Sequence, residues 1–157
     1  MIMNDLDHPN GTYACLVPNL ASIKELQSLQ YMLNLSSPVA AKDLHMTVIY
    51  SRKPCPGAAE LMDGFNPIVG KVAKLGYLPT QTGTTCLVAE VECPDAVGLH
   101  HYIRETHGAS HDYPSYLAHI TLSYDCPMGI RELLNPLNIV FDQFKVSALN
   151  TAWQGKS

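Results

Sequence analysis

Short runs of alternating apolar and polar residues recur along the chain, and such alternation is typical of half-buried β-strands. We predict strands over residues 11–17, 44–51, 69–78, 84–93, 117–124 and 138–153. Two other stretches repeat apolar residues every three or four positions, as amphipathic helices do. These helices are predicted over residues 20–35 and 94–106, with shorter helices over residues 58–62 and 130–134.

The order of these elements predicts an α+β fold, because each half of the chain places a strand, a helix and a further strand in succession. Helices that cover one face of a sheet leave its other face for functional side chains. We therefore expect a single bilobal domain over residues 1–157. It should consist of two small antiparallel sheets with helices on their outer faces and a groove between them.

One short pattern occurs in both halves. His45-Met46-Thr47 lies in the second predicted strand, and His119-Ile120-Thr121 lies in the fifth. Because side chains alternate along a strand, the histidine and threonine of each copy share one face, while the apolar residue between them points to the other. Each copy thus offers an imidazole and a hydroxyl next to a buried aliphatic face.

These four side chains suit phosphodiester chemistry that needs neither a metal nor a cofactor. One neutral imidazole can accept a proton while a second, protonated imidazole donates one, and threonine hydroxyls can hydrogen-bond the phosphoryl oxygens. The catalytic candidates are His45, Thr47, His119 and Thr121. The residues alone leave the assignment of base and acid open. They also leave open a structural role, in which each ring binds a backbone carbonyl.

Composition narrows the substrate. The chain has a net charge of −4 with only ten lysines and arginines, and none of them form a cluster, which argues against a long nucleic acid. A small nucleotide remains compatible. No apolar run approaches the roughly 18 residues of a membrane span, and the first residues, without a basic region followed by an apolar block, are not expected to be a secretion signal. Five scattered cysteines without a CxxC pattern predict a reduced, cytoplasmic protein.

The paired His-x-Thr motifs resemble those of the 2H phosphoesterase superfamily. Within that superfamily, the chain resembles the phage anti-CBASS nucleases at further residues. Those residues are Gly11-Thr12-Tyr13 near the start of the chain and Trp153 near its end. The resemblance implies cleavage of cyclic di- and trinucleotide signals, in the host cytoplasm if a phage encodes the protein. It also implies that Tyr13 and Trp153 stack on nucleobases; we expect a monomer.

Other aromatic and imidazole side chains are candidates for weaker roles. Tyr116, in the loop before the second motif, is a candidate for contact with the substrate. The remaining histidines of the second half have no carboxylate at metal-ligand spacing and are predicted to be solvated: His100, His101, His107 and His111. Two alternative functions stay open. One is a 2H phosphoesterase acting on RNA ends or 2′,3′-cyclic phosphates, and the other is a protein that binds cyclic nucleotides without cutting them.

Overall fold

Six antiparallel strands close into one sheet in a computed structural model of the protein, which describes residues 11–80, 82–111, 115–129 and 131–149. The strands are β1 (Thr12–Pro18), β2 (Met46–Ser51), β3 (Ile68–Pro79), β4 (Thr85–Glu92), β5 (His119–Ser123) and β6 (Leu137–Ala148). Their spatial order is β1-β2-β5-β4-β3-β6. Two α-helices accompany them, α1 (Leu20–Met32) and α2 (Pro94–His107), with 3₁₀ turns at Ala41–Asp43 and Pro56–Met62.

The six strands divide into two halves of three, β6-β1-β2 and β5-β4-β3. The predicted α+β class is confirmed, and the two halves are joined at both edges. At one edge β3 pairs with β6 from Ile68 to Val72, and at the other β2 meets β5 only at Met46 and Ile120. Because that second junction is so short, the two motif strands touch at one point and are otherwise held by their own halves.

Local sequence signals mark the starts of both helices and the end of α2. The Asn19 side chain accepts a hydrogen bond from the backbone N–H of Ser22 at 2.9 Å, which caps the start of α1. That helix ends at Met32, three residues before the predicted end. Pro94 opens α2, and Gly108 closes it at φ 70°, a left-handed conformation that favours glycine.

The core contains more of β2 than simple alternation predicts. Met46 and Val48 are buried as expected, but Thr47 and Ile49 are buried too. The motif side of β2 is therefore itself enclosed by neighbouring side chains.

Two further expectations meet the structure with different outcomes. Residues 131–136 contain no helix, so the short helix predicted over residues 130–134 is wrong for the residues described there. All five cysteines are free and buried, in keeping with the predicted absence of a disulfide framework. Across the ranges given above, no helix is long and apolar enough to cross a membrane.

Candidate active site

The two motifs meet where β2 runs antiparallel to β5, with Met46 opposite Ile120. In an antiparallel pair, the residue after Met46 lies opposite the residue before Ile120, and the residue before Met46 lies opposite the residue after Ile120. These flanking side chains point to the other side of the sheet from Met46 and Ile120. Four side chains therefore lie on one face, which we call the motif face, in the crosswise pairs Thr47 with His119 and His45 with Thr121. The fold thus brings together all four catalytic candidates, from two distant parts of the chain.

Both imidazoles are fixed in the same way. The Nδ1 of His45 lies 2.7 Å from the carbonyl oxygen of Asp43, and the Nδ1 of His119 lies 2.8 Å from that of Leu117. In each case the ring donates to the backbone two residues earlier. A neutral ring that carries its proton on Nδ1 has its lone pair on Nε2, which is then the atom that can exchange a proton. The backbone bonds therefore orient both rings with their basic nitrogens directed away from the main chain.

Burial acts on the first histidine in a definite direction. It lowers the pKa of His45 below the ordinary value for histidine, and the carbonyl and carboxylate of Asp43 oppose this shift only in part. A lowered pKa favours the neutral imidazole near neutral pH. His45 is accordingly suited to accept a proton.

Tyr13 contributes a hydroxyl to the same face. Its Oη lies 2.8 Å from Oγ1 of Thr47, and its ring stands edge-on to His45 with the centroids 6.4 Å apart. Burial raises the pKa of Tyr13 well above the usual range for tyrosine, so its hydroxyl keeps its proton. The structure therefore brings Tyr13 to the motifs, through a hydrogen bond that the sequence pattern does not reveal.

Tyr116 has contacts other than those expected of a ligand-binding residue. Its hydroxyl donates to the carbonyl oxygen of Thr47 at 2.7 Å, and its ring stacks on His100 with centroids 4.3 Å apart. Burial also raises the pKa of Tyr116. These contacts direct the side chain to the backbone of β2, so the structure favours a positioning role over the predicted contact with substrate.

The predicted solvation of His100 is wrong. The residue is completely buried, and its Nδ1 donates to the carbonyl oxygen of Val48 at 2.6 Å. The signal that could have revealed this is helical spacing, because His100 lies four residues after Ala96 and three before Ile103, which are both buried on α2. The helix thus directs an imidazole onto the motif strand.

Two further points concern the ligand-binding candidates and metal binding. Trp153 falls outside the described residues, so its predicted stacking on a base stays a prediction. Within the part of the chain that the structure describes, no group of three or more histidine, cysteine, aspartate or glutamate side chains is placed to hold a metal ion. The four motif side chains themselves are imidazoles and hydroxyls.

Comparison with known proteins identifies the family to which the chain is similar. A family model described as "Anti-CBASS protein Acb1" matches residues 10–156. The chain is 37% identical over 139 residues to the anti-CBASS protein Acb1 of Vibrio phage KVP40, which covers 82% of this chain and 89% of that protein.

Solved structures show the same architecture at low sequence identity. Escherichia coli LigT complexed with 3′-AMP gives a TM-score of 0.55 at 14% identity, covering 91% of this chain and 96% of that one. The protein TT0787 of Thermus thermophilus gives a TM-score of 0.58 at 17% identity, covering 87% and 83%. The predicted 2H phosphoesterase-like fold is thereby confirmed.

Proposed function

Because the chain belongs to the Acb1 family of anti-CBASS proteins, we propose that it cleaves the 3′-5′ bonds of cyclic di- and trinucleotides. Degrading these signals would counteract the CBASS response in the cytoplasm of an infected host. The carrying observation is the pairing of Met46 with Ile120 where β2 meets β5, because this register sets the two His-x-Thr motifs side by side on one face of the sheet. The partner is a small cyclic nucleotide, and we propose a monomer that uses no metal or other cofactor.

The reaction assigns one role to each histidine. The neutral Nε2 of His45 takes the proton from a ribose 2′-hydroxyl, whose oxygen attacks the adjacent phosphorus. The bond from phosphorus to the 5′-oxygen breaks, and protonated His119 donates a proton to that leaving oxygen. The product is a linear oligonucleotide with a 2′,3′-cyclic phosphate end. The lowered pKa of His45 supports its assignment as the base.

The hydroxyls stabilise the charge that grows on phosphorus-bound oxygens in the transition state. Thr47 and Thr121 flank the histidines and would donate to the two non-bridging oxygens. The Tyr13 hydroxyl lies 2.8 Å from that of Thr47, and either of the two can be the donor. When the Thr47 hydroxyl donates to the phosphate, the Tyr13 hydroxyl can donate to Thr47. We further propose that the ring of Tyr13, together with Trp153, stacks on the substrate's bases.

Incubation with 3′,3′-cyclic GMP-AMP in the presence of EDTA tests the proposal, with linear products followed by chromatography. We expect ring opening by the wild type and a loss of about 10²- to 10⁴-fold in His45→Ala and His119→Ala. His101→Ala is the matched control, since His101 is exposed on α2.

Three outcomes would contradict the proposal. A ring recovered intact after heat denaturation of a stoichiometric complex would indicate binding without cleavage. Activity confined to linear RNA with 2′,3′-cyclic phosphate ends would indicate the other phosphoesterase function. Activity that EDTA abolishes would exclude the metal-independent mechanism.

A further inference from the structure

A single row of side chains crosses all six strands through the centre of the motif face. From β6 to β3 the row consists of Lys145, Cys15, Thr47, His119, Glu90 and Lys74. Cys15 is the registered partner of both its neighbours in the row, and so is Glu90, while the central two residues adjoin through the pairing of β2 with β5. Residues directly opposite one another in neighbouring strands share a face. The row therefore shows how many strands separate each charged side chain from Thr47 and His119.

The two ends of this row differ in charge. At the β3 end, Lys74 lies 3.8 Å from the Glu90 carboxylate, so the two charges offset each other. At the β6 end, Lys145 is exposed, and no acidic partner lies within ion-pair distance in the part of the chain described. Its neighbour Cys15 does not neutralise it, because burial raises the pKa of that thiol to about 11. Lys145 is thus the uncompensated cation of the row.

Strand spacing sets how far this cation lies from the chemistry. Neighbouring strands are about 4.8 Å apart, so the backbone of Lys145 lies about 10 Å from that of Thr47, two strands away. The four-carbon stem of a lysine can shorten that gap by carrying the ammonium toward a ligand. If one phosphate is held between the motifs, a second anionic group attached to it would lie between that phosphate and the Lys145 ammonium group.

We propose that Lys145 binds the second, non-reacting phosphate of a cyclic dinucleotide whose first phosphate lies between His45 and His119. This inference rests on the proposed function and extends it. A cyclic dinucleotide carries two phosphates separated by one ribose, whereas a linear dinucleoside monophosphate carries one. The lysine would therefore favour the ring over a linear substrate that contains the same scissile bond.

Equilibrium binding separates this proposal from the question of catalysis. The dissociation constants of 3′,3′-cyclic GMP-AMP and of the linear dinucleotide ApA are measured by calorimetry in a His45→Ala background. We expect Lys145→Met to weaken ring binding about tenfold, with less than a twofold effect on ApA, and Lys145→Arg to restore it. The slope of ring affinity against salt should fall by about one in Lys145→Met.

Two lysines serve as controls. Lys24→Met removes an exposed cation on α1, and Lys74→Met removes the ion-paired cation of the same row; both should leave ring affinity within twofold. An equal loss in Lys74→Met, or an equal loss for ApA, would reduce the effect to general electrostatics and overturn the proposal. Failure of the ring to bind at all would also overturn it. Tight, Lys145-dependent binding in this background, together with no cleavage of the ring by the wild-type protein, would support this site and contradict the proposed reaction.

Discussion

The two motif strands carry the same chemical groups, and each pairs with an outer neighbour, β2 with β1 and β5 with β4. They differ in where side chains from other elements bind their carbonyl groups. On β2, side chains from other elements bind the strand's carbonyl groups: Tyr116 binds that of Thr47, and His100 binds that of Val48. On β5, the buried Gln30 of α1 donates to the carbonyl oxygen of Leu122 at 3.0 Å, one residue beyond the motif. The side chains that support β2 therefore bind at and next to Thr47, whereas this one binds β5 outside the triplet from His119 to Thr121.

This difference predicts where substitutions can uncouple stability from activity. A supporting side chain can be removed by one substitution, whereas the main-chain ladders of β2 with β1 and of β5 with β4 cannot. Damage outside the catalytic set should therefore act mainly through the first motif, where α2 and the loop before β5 make their contacts. Around the second motif, Gln30 binds β5 outside the motif triplet, so substitution of the motif residues themselves should have the largest effect on the reaction.

The largest expected effect on stability comes from His100→Ala. The substitution empties a fully buried site and leaves the Val48 carbonyl without its 2.6 Å partner. We expect a loss of about 2–4 kcal/mol in the free energy of unfolding, measured in urea. His119→Ala should show the reverse behaviour, with activity lost and stability changed by less than about 1 kcal/mol. Equal destabilisation by the two substitutions would remove the contrast between the motifs.

Most of the fold could be predicted from the sequence, because local signals and tertiary contacts agree over most of the chain. Asn19 and Pro94 mark the starts of both helices, and alternation marks the strands. Alternation fails in β2, where Thr47 is buried beside Val48 because Tyr13 and neighbouring groups enclose the motif side. No local pattern reports such a contact between strands.

The site was predictable only as far as spacing reveals it. Two His-x-Thr patterns in strands indicated which four side chains to expect, but their crosswise arrangement depends on the register of Met46 with Ile120. The support from His100 was missed because a histidine on an amphipathic helix is usually solvated. The roles of Tyr13 and Tyr116 depend on hydroxyl contacts with a residue far away in sequence, which composition and periodicity do not encode.

A smaller effect, now on catalysis, is expected from Tyr13→Phe. The change removes a hydroxyl 2.8 Å from Thr47 and keeps the ring, so stacking on a base should persist. We expect kcat to fall about three- to tenfold with little change in KM, because the lost hydrogen bond orients a transition-state donor. Tyr77→Phe is the matched control, since the Tyr77 hydroxyl binds the carbonyl of Gly129.

A double-mutant cycle makes this prediction sharper. If Tyr13 acts through Thr47, the effects of Tyr13→Phe and Thr47→Val should not add, whereas those of Tyr13→Phe and Thr121→Val should. Additive effects in both cycles would show that Tyr13 contacts the substrate directly and does not position Thr47.

Tyr116→Phe should have a still smaller effect, and mainly on stability. It removes the 2.7 Å hydrogen bond to the Thr47 carbonyl but keeps the ring stacked on His100. We expect a loss of about 1 kcal/mol in the free energy of unfolding and a less than threefold change in kcat. Tyr102→Phe, at an exposed position on α2, is the control. A rise in KM without loss of stability would instead support the original prediction that Tyr116 contacts the substrate.

The smallest expected effect concerns the pH dependence of the free energy of unfolding, to which the imidazole that supports the first motif contributes. Burial lowers the pKa of His100 in the folded protein, as it does for His45, so the unfolded chain takes up protons first as the pH falls. The stability present above the unfolded pKa, about 6.5, is therefore lost progressively below it.

His100→Gln places a non-titrating amide donor at the same position and should flatten this decline, as followed by urea unfolding between about pH 7.5 and pH 5. His101→Gln, at an exposed position, should leave the slope unchanged. An unchanged slope in His100→Gln would mean that the imidazole supporting the first motif does not take part in the acid sensitivity of the fold.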